Sequence, residues 1–388
     1  MELELDTGDR LIEAARALLP EIEAAAVEID RERRVPRRII EAMTEAGLFR
    51  MTVPRSLGGW ELPLHRFGEV CQTVAAADGS VGWCVSQNGG IGRESGYLPR
   101  EGAEEVFGDP AAVLAWGNGP ATATRVAGGY RLNGRFVFAS GIRHATWTGA
   151  HDAPVVDAAG QPVLDEQGRR RVATLFFRPS DVELTDVWRV SGLRGTGSDT
   201  YTVTDLFVPE HRATLPVVQE PGPLYLFGTT NVFSVGFASV SMGISRAVLD
   251  AFLELAATKT PRNVSGLLRE QATAHNLAGR TEGIWRAAQA LLRQTAREAW
   301  ERACANHELT LATRVDLRLA TTYAMQQSAE VVDAAYKASG ATAIFDDNPF
   351  ERRFRDMHAA TQHLQAREDH FEPVGQYLFG LDPPRLWL

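Results

Sequence analysis

Cysteine is scarce in this chain of 388 residues, and the little there is excludes much: Cys71, Cys84 and Cys304 are odd in number, far apart and without metal-ligand spacing. A disulfide framework and a cysteine metal centre are therefore not expected, and the thiols read as reduced and structural. No apolar run approaches the roughly 18 residues that cross a bilayer. The opening MELELDTGDR is acidic and unlike a signal peptide, so a cytoplasmic protein with no membrane partner is expected. Sustained Lys/Arg stretches are absent and the net charge is −9. The one basic cluster, DRERRVPRR at 30–38, is balanced by acidic neighbours and reads as a solvated helix turn, which argues against nucleic acid as a partner. The compact motifs of common chemistries are missing too: there is no HExxH, CxxC, GxSxG elbow or Walker lysine, and no metal is expected. GTGSDT at 195–200 lacks a third glycine and runs into a β-rich stretch instead of a helix, so it is not a dinucleotide loop for NAD(P)H.

What is present reads as a globular chain with 44% hydrophobic and 23% charged residues, long enough to bury a large core. Residues 8 to about 110 carry helical periodicity, with Leu11, Ala15, Leu18, Leu19 and Ile22 on one stripe and Pro20 as a possible kink. PRRIIEAMTEAG begins with proline and stops at Gly47, a helix runs from about Leu64 to Ala77, and DGSVGWCVSQNGG at 78–90 pairs a cap at Asp78 or Ser80 with an apolar body. From about 113 the period changes to alternation. AVLAWGNG, TRVAGGYRLNGRFVFASG, VATLFFRP, VELTDVWRV and DTYTVTDLFVPE are short β-rich runs, with 152–171 as an exposed loop or hairpin extension. Long helices return near 236–256, 266–304 and 312–338, the last ending at Gly340. This divides the chain into a helical domain at 1–112, a β domain at 113–222 and a helical domain at 223–388.

The run RDMHAATQHLQAREDHFEPVG at 355–375 is good helix-forming sequence up to Pro373 and holds three histidines. On a regular helix Asp356, His363 and His370 share a face, while His358 lies about 140° round from His363. This run, and the order of helices, β domain and helical bundle, resemble the acyl-CoA dehydrogenase fold over nearly the whole chain. The resemblance implies an α+β architecture with an N-terminal helical domain, a central antiparallel β-barrel or sandwich and a C-terminal four-helix bundle. In that family an Arg-Asp pair opens the last catalytic helix and a glutamate further along acts as base. Here that slot holds Leu364, with His363 beside it. An imidazole in place of the carboxylate resembles the two-component flavin monooxygenases built on the same scaffold.

The resemblance implies a monooxygenase that takes reduced FMN or FAD from a separate NAD(P)H-dependent flavin reductase, reacts with O2 through a C4a-hydroperoxyflavin, and hydroxylates a small phenol- or indole-like substrate. N- or S-oxygenation, acyl-CoA dehydrogenation with Glu368 or Glu372 as base, and a silent flavin-binding or assembly subunit are the alternatives. A homotetramer is expected. In GRFVFASGIRHATW at 134–147, alternation puts Phe136, Phe138 and Ser140 on one strand face ended by Gly141. By resemblance Phe138 and Ser140 lie beside the flavin ring, the hydroxyl near N5. The turn WGNGP offers backbone amides at Trp116 and Asn118 to flavin or substrate, and these two with Gly141 are expected among the cofactor-binding residues. The resemblance further places Lys259 and Arg262, near the start of a long helix, on flavin phosphates. It places Trp83, Ser86 and Asn88 by the substrate, and gives His363 the role of substrate base or hydrogen-bond partner. It assigns no role to His144, His358 or His370.

Overall fold

A computed structural model describes residues 2–388, with side chains from residue 7 onward. The N-terminal helices are α1 (Glu2–Ala24), α2 (Ala26–Glu32), α3 (Arg37–Glu45), α4 (Leu64–Ala77), α5 (Gly79–Ile91) and α6 (Arg100–Phe107). Pro36 stands at the N-cap of α3, where an amide hydrogen has no helical partner to lose, and Gly47 at φ 76° turns the chain away after it. Asp78 caps α5, its carboxylate accepting the amides of Ser80 and Val81. All thirteen residues of α5 are buried, so this helix is a central post rather than an amphipathic surface element.

The strands are β1 (Leu114–Gly117), β2 (Ala121–Val126), β3 (Gly129–Ala139), β4 (Trp147–Val156), β5 (Val172–Phe177), β6 (Glu183–Thr185) and β7 (Asp199–Pro209). They form one curled sheet in the order β1-β4-β2-β3-β7-β6, with β5 on β4. The antiparallel expectation holds for β2/β3, β3/β7, β4/β5 and β6/β7, whereas β4 runs parallel to both β1 and β2. The sheet is therefore mixed. The physical reason is the crossover at 140–146, which carries the chain from β3 to β4 without a hairpin and so lets β4 run alongside β1. Tyr130, Leu132, Phe136, Phe177 and Tyr201 fill the inside of the curl.

The C-terminal helices are α7 (Thr229–Thr258), α8 (Ala272–Asn306), α9 (Leu311–Ser339), α10 (Pro349–Thr361) and α11 (Phe371–Leu378). One expectation fails here: α7 contains a window of mean hydropathy 1.5, long and apolar enough to cross a membrane, but 94% of that window is buried inside the protein. Its apolar surface is covered by α4, α5, α8, α9 and α10. Glycines set how close the neighbours come. A Cβ on Gly236 would lie 2.2 Å from Ser86 Oγ, and one on Gly243 would lie 2.4 Å from the carbonyl of Gln72. Residues from α1 to α10 thus share one hydrophobic core, with α5 and α7 at its centre.

Candidate functional site

The helix expected up to Pro373 ends at Thr361, and the stripe of Asp356, His363 and His370 does not form. Gln362 caps α10, His363 is extended (φ −70°, ψ 144°), and a 3-10 turn follows at Leu364–Ala366. Contacts distant in sequence outbid the helix. The buried Arg318 guanidinium on α9 donates to Gln365 Oε1 at 2.9 Å, and Gln326 donates to the carbonyl of Ala366 at 2.6 Å. His370 consequently lies elsewhere, with Nε2 donating to the Leu364 carbonyl at 2.7 Å and its ring near Trp387. His358 spends Nε2 on Asp333 at 2.9 Å on the partly exposed side of α10. Asp356 is buried under the β domain, where its Oδ1 accepts the amide of Leu193 at 2.6 Å. Burial, with Asp78 beside it, pushes its pKa up to about 7.

His363 itself is the end of a ladder of rings. Its imidazole meets Trp83 edge-on at 5.2 Å and Phe237 at 4.6 Å, and Trp83 and Phe237 stack on each other at 4.0 Å. Phe233, one turn before Phe237 on α7, continues the ladder to Trp116 on β1, and Trp116 stacks on His151 of β4 at 4.1 Å. Nδ1 of His363 accepts the Gln365 amide at 3.2 Å, so in the neutral ring Nε2 carries the hydrogen. Burial among these rings lowers the His363 pKa to about 4. The imidazole is therefore neutral at physiological pH and presents a donor, not a free base. Of the two roles expected of His363, substrate base or hydrogen-bond partner, this desolvation favours the second.

The end of β3 and the loop after it differ from the strand face expected of them. Phe136 is buried, a bulge interrupts pairing with β7 between Phe136 and Ala139, and Phe138 takes a left-handed conformation (φ 58°). The alternation breaks there, so Phe138 is 67% exposed with its ring edge toward Trp188 at 6.0 Å, while Ser140 turns inward. Asn118 donates its amide to the Val137 carbonyl at 3.1 Å, so the amide expected to serve a ligand is already taken, and the bridge brings the WGNGP turn beside Phe138. Gly141 (φ 80°) leaves no room for a side chain, since a Cβ would lie 2.5 Å from Asn88 Oδ1. Asn88 on α5 locks this loop: Nδ2 donates to the carbonyls of Leu114 (2.6 Å) and Ser140 (3.2 Å). Its Oδ1 then faces His144 Nε2 at 3.1 Å, which places the hydrogen of that ring on Nε2. Burial lowers the His144 pKa to about 4. Ser140 Oγ joins Ser198 Oγ at 2.8 Å.

The structure thus gathers Trp83, Trp116 and His363 on one ladder, and joins Asn88 of α5 to Ser140 and Gly141 of the loop after β3. It does not bring Ser86 to either: its side chain is fully buried against Gly236 and helps pack α5 on α7. Lys259 and Arg262 lie after the end of α7, not at the start of a helix. Lys259 caps α7 and donates to the Ser339 carbonyl and Thr342, which leaves Arg262 as the exposed cation of that segment. An open cleft of about 390 Å³, lined by Arg33, Arg189, Val190 and Arg194, includes no ring of the ladder. Phe233 and Phe237 escaped sequence reading although their spacing of four puts them on one helix face. Thr196 and Ser198 escaped because only the fold sets them against Ser140.

Similarity to known proteins follows the same outline. The N-terminal domain model of acyl-CoA dehydrogenase matches residues 7–106 and the C-terminal domain model matches 235–368. Indole-3-acetate monooxygenase of Pseudomonas putida is 31% identical over 92% of this chain and 90% of its own length. The oxygenase subunit of a flavin-dependent monooxygenase from Rhodococcus jostii is 28% identical over 89% and 92%. Among solved structures, 3-HSA hydroxylase from Rhodococcus superposes with a TM-score of 0.88 at 26% identity over 98% and 99% of the two chains. XiaF from Streptomyces, in complex with FADH2 and glycerol, gives 0.90 at 28% identity over 99% of each.

Proposed function

This chain belongs to the flavin-dependent monooxygenases built on the acyl-CoA dehydrogenase fold, and on that footing we propose that it hydroxylates a small phenol- or indole-like aromatic with reduced FMN or FAD and O2. One observation carries the choice of substrate: the rings of Trp83 and Phe237 converge on a neutral His363 that offers Nε2–H. Ring faces and edges select a flat aromatic, and the single donor orients a hydroxyl or ring heteroatom within it. No base of the dehydrogenase kind stands there. Leu364 occupies the carboxylate slot, and Glu368 and Glu372 are exposed.

The loop residues fit the flavin. Phe138 presents an exposed ring on a backbone held in the left-handed region, with Trp188 beside it and a hydroxyl oxygen at Ser140. That set would hold a planar heteroaromatic ring, with Ser140 near N5 as the family likeness implies and the Asn118 side chain and Gly141 beside it. Bound reduced flavin supplies the electrons and activates O2; the rest is the protein's part. Trp83, Phe233, Phe237 and Trp116 exclude water and hold the substrate ring. His363 donates from Nε2 to the substrate and keeps its Nδ1 on the Gln365 amide, so its ring does not rotate. Asn88 holds the Ser140 carbonyl and the β1 strand together, fixing the separation of the two halves.

Reducing equivalents come from a separate flavin reductase: GTGSDT forms a 3-10 turn leading into β7, with no helix to cradle a pyrophosphate. Exposed Leu378, Phe379, Leu381 and Leu386 near the C-terminus support burial between subunits of a homotetramer, checked by light scattering of the eluted protein. The deciding experiment supplies chemically or enzymatically reduced FMN or FAD, ¹⁸O2 and a panel of phenols, indole-3-acetate, thioethers and hydroxylamines. Ring-hydroxylated product carrying one ¹⁸O atom supports the reading. Label confined to sulfur or nitrogen products, or oxidation of an acyl-CoA, overturns it.

A further inference from the structure

Three buried hydroxyls run in a line from the flavin loop into the protein. Ser140 Oγ lies 2.8 Å from Ser198 Oγ, Ser198 Oγ lies 2.7 Å from Thr196 Oγ1, and Thr196 Oγ1 lies 2.8 Å from the carbonyl oxygen of Leu193. Thr196 and Ser198 are each 2% exposed, so water does not complete their bonding, and Ser140, at 6%, stands at the outer end of the line. The frame that holds them is rigid. Leu193 and Gly197 sit at φ 50° and 51°, the Leu193 amide is tied to Asp356, and the Thr196 carbonyl takes the amide of Gly141.

The end of the line decides the direction of every bond in it. A hydroxyl has one hydrogen and two lone pairs, whereas a carbonyl oxygen only accepts. Thr196 must therefore spend its hydrogen on Leu193, because two oxygens at 2.8 Å with no hydrogen between them repel each other. Thr196 then accepts from Ser198, and Ser198, its hydrogen spent, accepts from Ser140. The hydrogen of Ser140 points inward, and what Ser140 turns outward is a lone pair.

We propose that Thr196 and Ser198 are positioning residues that hold Ser140 as an obligate acceptor, and that the site thereby selects reduced over oxidised flavin. This rests on the reading that places Ser140 at flavin N5. In the two-electron-reduced ring N5 carries a hydrogen and is a donor; in the oxidised ring N5 is a bare acceptor. Facing a lone pair, the first forms a hydrogen bond and the second meets repulsion. The consequence suits an enzyme whose flavin arrives reduced: the same hydroxyl that retains the reduced form releases the oxidised one.

The test is the ratio of dissociation constants, oxidised over reduced, for FMN and for FAD, titrated anaerobically against the full-length protein. The wild type is expected to favour the reduced form. Thr196→Val and Ser198→Ala both free the hydrogen of Ser140 to turn outward, and each is expected to lower the ratio by about tenfold, the worth of one hydrogen bond. The midpoint potential of bound flavin falls with it by about 30 mV per tenfold. Thr196→Ser, which keeps the hydroxyl, is expected to retain the wild-type ratio. Ser140→Ala separates the two levels of the argument. If it leaves both constants unchanged, Ser140 does not touch flavin and the reading itself is wrong. If it changes the ratio while Thr196→Val and Ser198→Ala weaken both flavins equally, the flavin contact stands and the polarised chain is overturned.

Discussion

Around the His363 ring the contacts are ring on ring, with one backbone amide as its polar tie among the described residues, whereas around Ser140 nearly every polar atom has a directed partner. The first region uses burial, which is strong and tolerant of small changes in angle. It depresses the imidazole pKa and excludes water. The second uses hydrogen bonds, individually modest but directional, and places two residues, Phe138 and Gly141, in left-handed backbone to aim them. The difference teaches that the substrate half should be sensitive to lost volume, and the flavin half to lost direction.

The largest effect expected is at the aromatic half. Phe237→Ala removes a buried ring that touches Trp83, Phe233 and His363, and should cost about 3–5 kcal/mol of stability by lost transfer energy and a cavity. Urea denaturation measures it; a cost below about 1 kcal/mol would mean that the ladder does not hold this half together.

Next is the contrast among the histidines. His363→Ala should lower hydroxylation by about a hundredfold, the scale of one preorganised hydrogen-bond donor, with flavin affinity retained. His358→Ala, on a partly exposed pair with Asp333, should change the rate less than about threefold, as surface ion pairs are worth little. Rapid-quench product analysis compares them, and equal losses would reject His363 as the substrate contact.

At the flavin half, Ser140→Ala should leave the melting temperature almost unchanged and divert turnover from product to hydrogen peroxide by about tenfold, one hydrogen bond. Peroxide and product measured in the same reaction give the ratio. An unchanged ratio would place the directional contact elsewhere.

The smallest effect is in pH. His363 is held near 4, so it stays neutral from pH 5 to 8 and should contribute no inflection to the hydroxylation rate in that range. Its folded pKa lies below the unfolded value near 6.5, so the unfolded chain binds the proton first. The stability it contributes is complete above about 6.5 and is lost as pH falls toward 4. His363→Gln should accordingly lose stability less steeply than the wild type over that window; parallel curves would show that the ring is not buried neutral.

Much of the scaffold was legible along the chain. Leu64–Ala77 is the helix its periodicity describes, Asp78 caps α5, and alternation begins at the first strand. The family likeness rested on that order of elements. The site was legible at the level of segments and less so at the level of faces. Reading 355–375 as one helix put His363 and His370 on a shared stripe, and reading 134–140 as a plain strand put Phe138 beside Phe136; both failed where a few residues depart from the regular period.

The sequence by itself determined the kinds and order of the elements, because helical and strand preferences, caps and turn glycines act over a few residues of backbone. The tertiary structure decided where those elements give way and what the exposed groups then face. Arg318 and Gln326 draw the chain off its helix after Thr361, α7 supplies the rings that desolvate His363, and the Leu193 carbonyl sets which way the hydroxyls of Thr196, Ser198 and Ser140 point. Each is a contact between groups far apart in the chain, whose energy enters only when folding brings them within bonding distance.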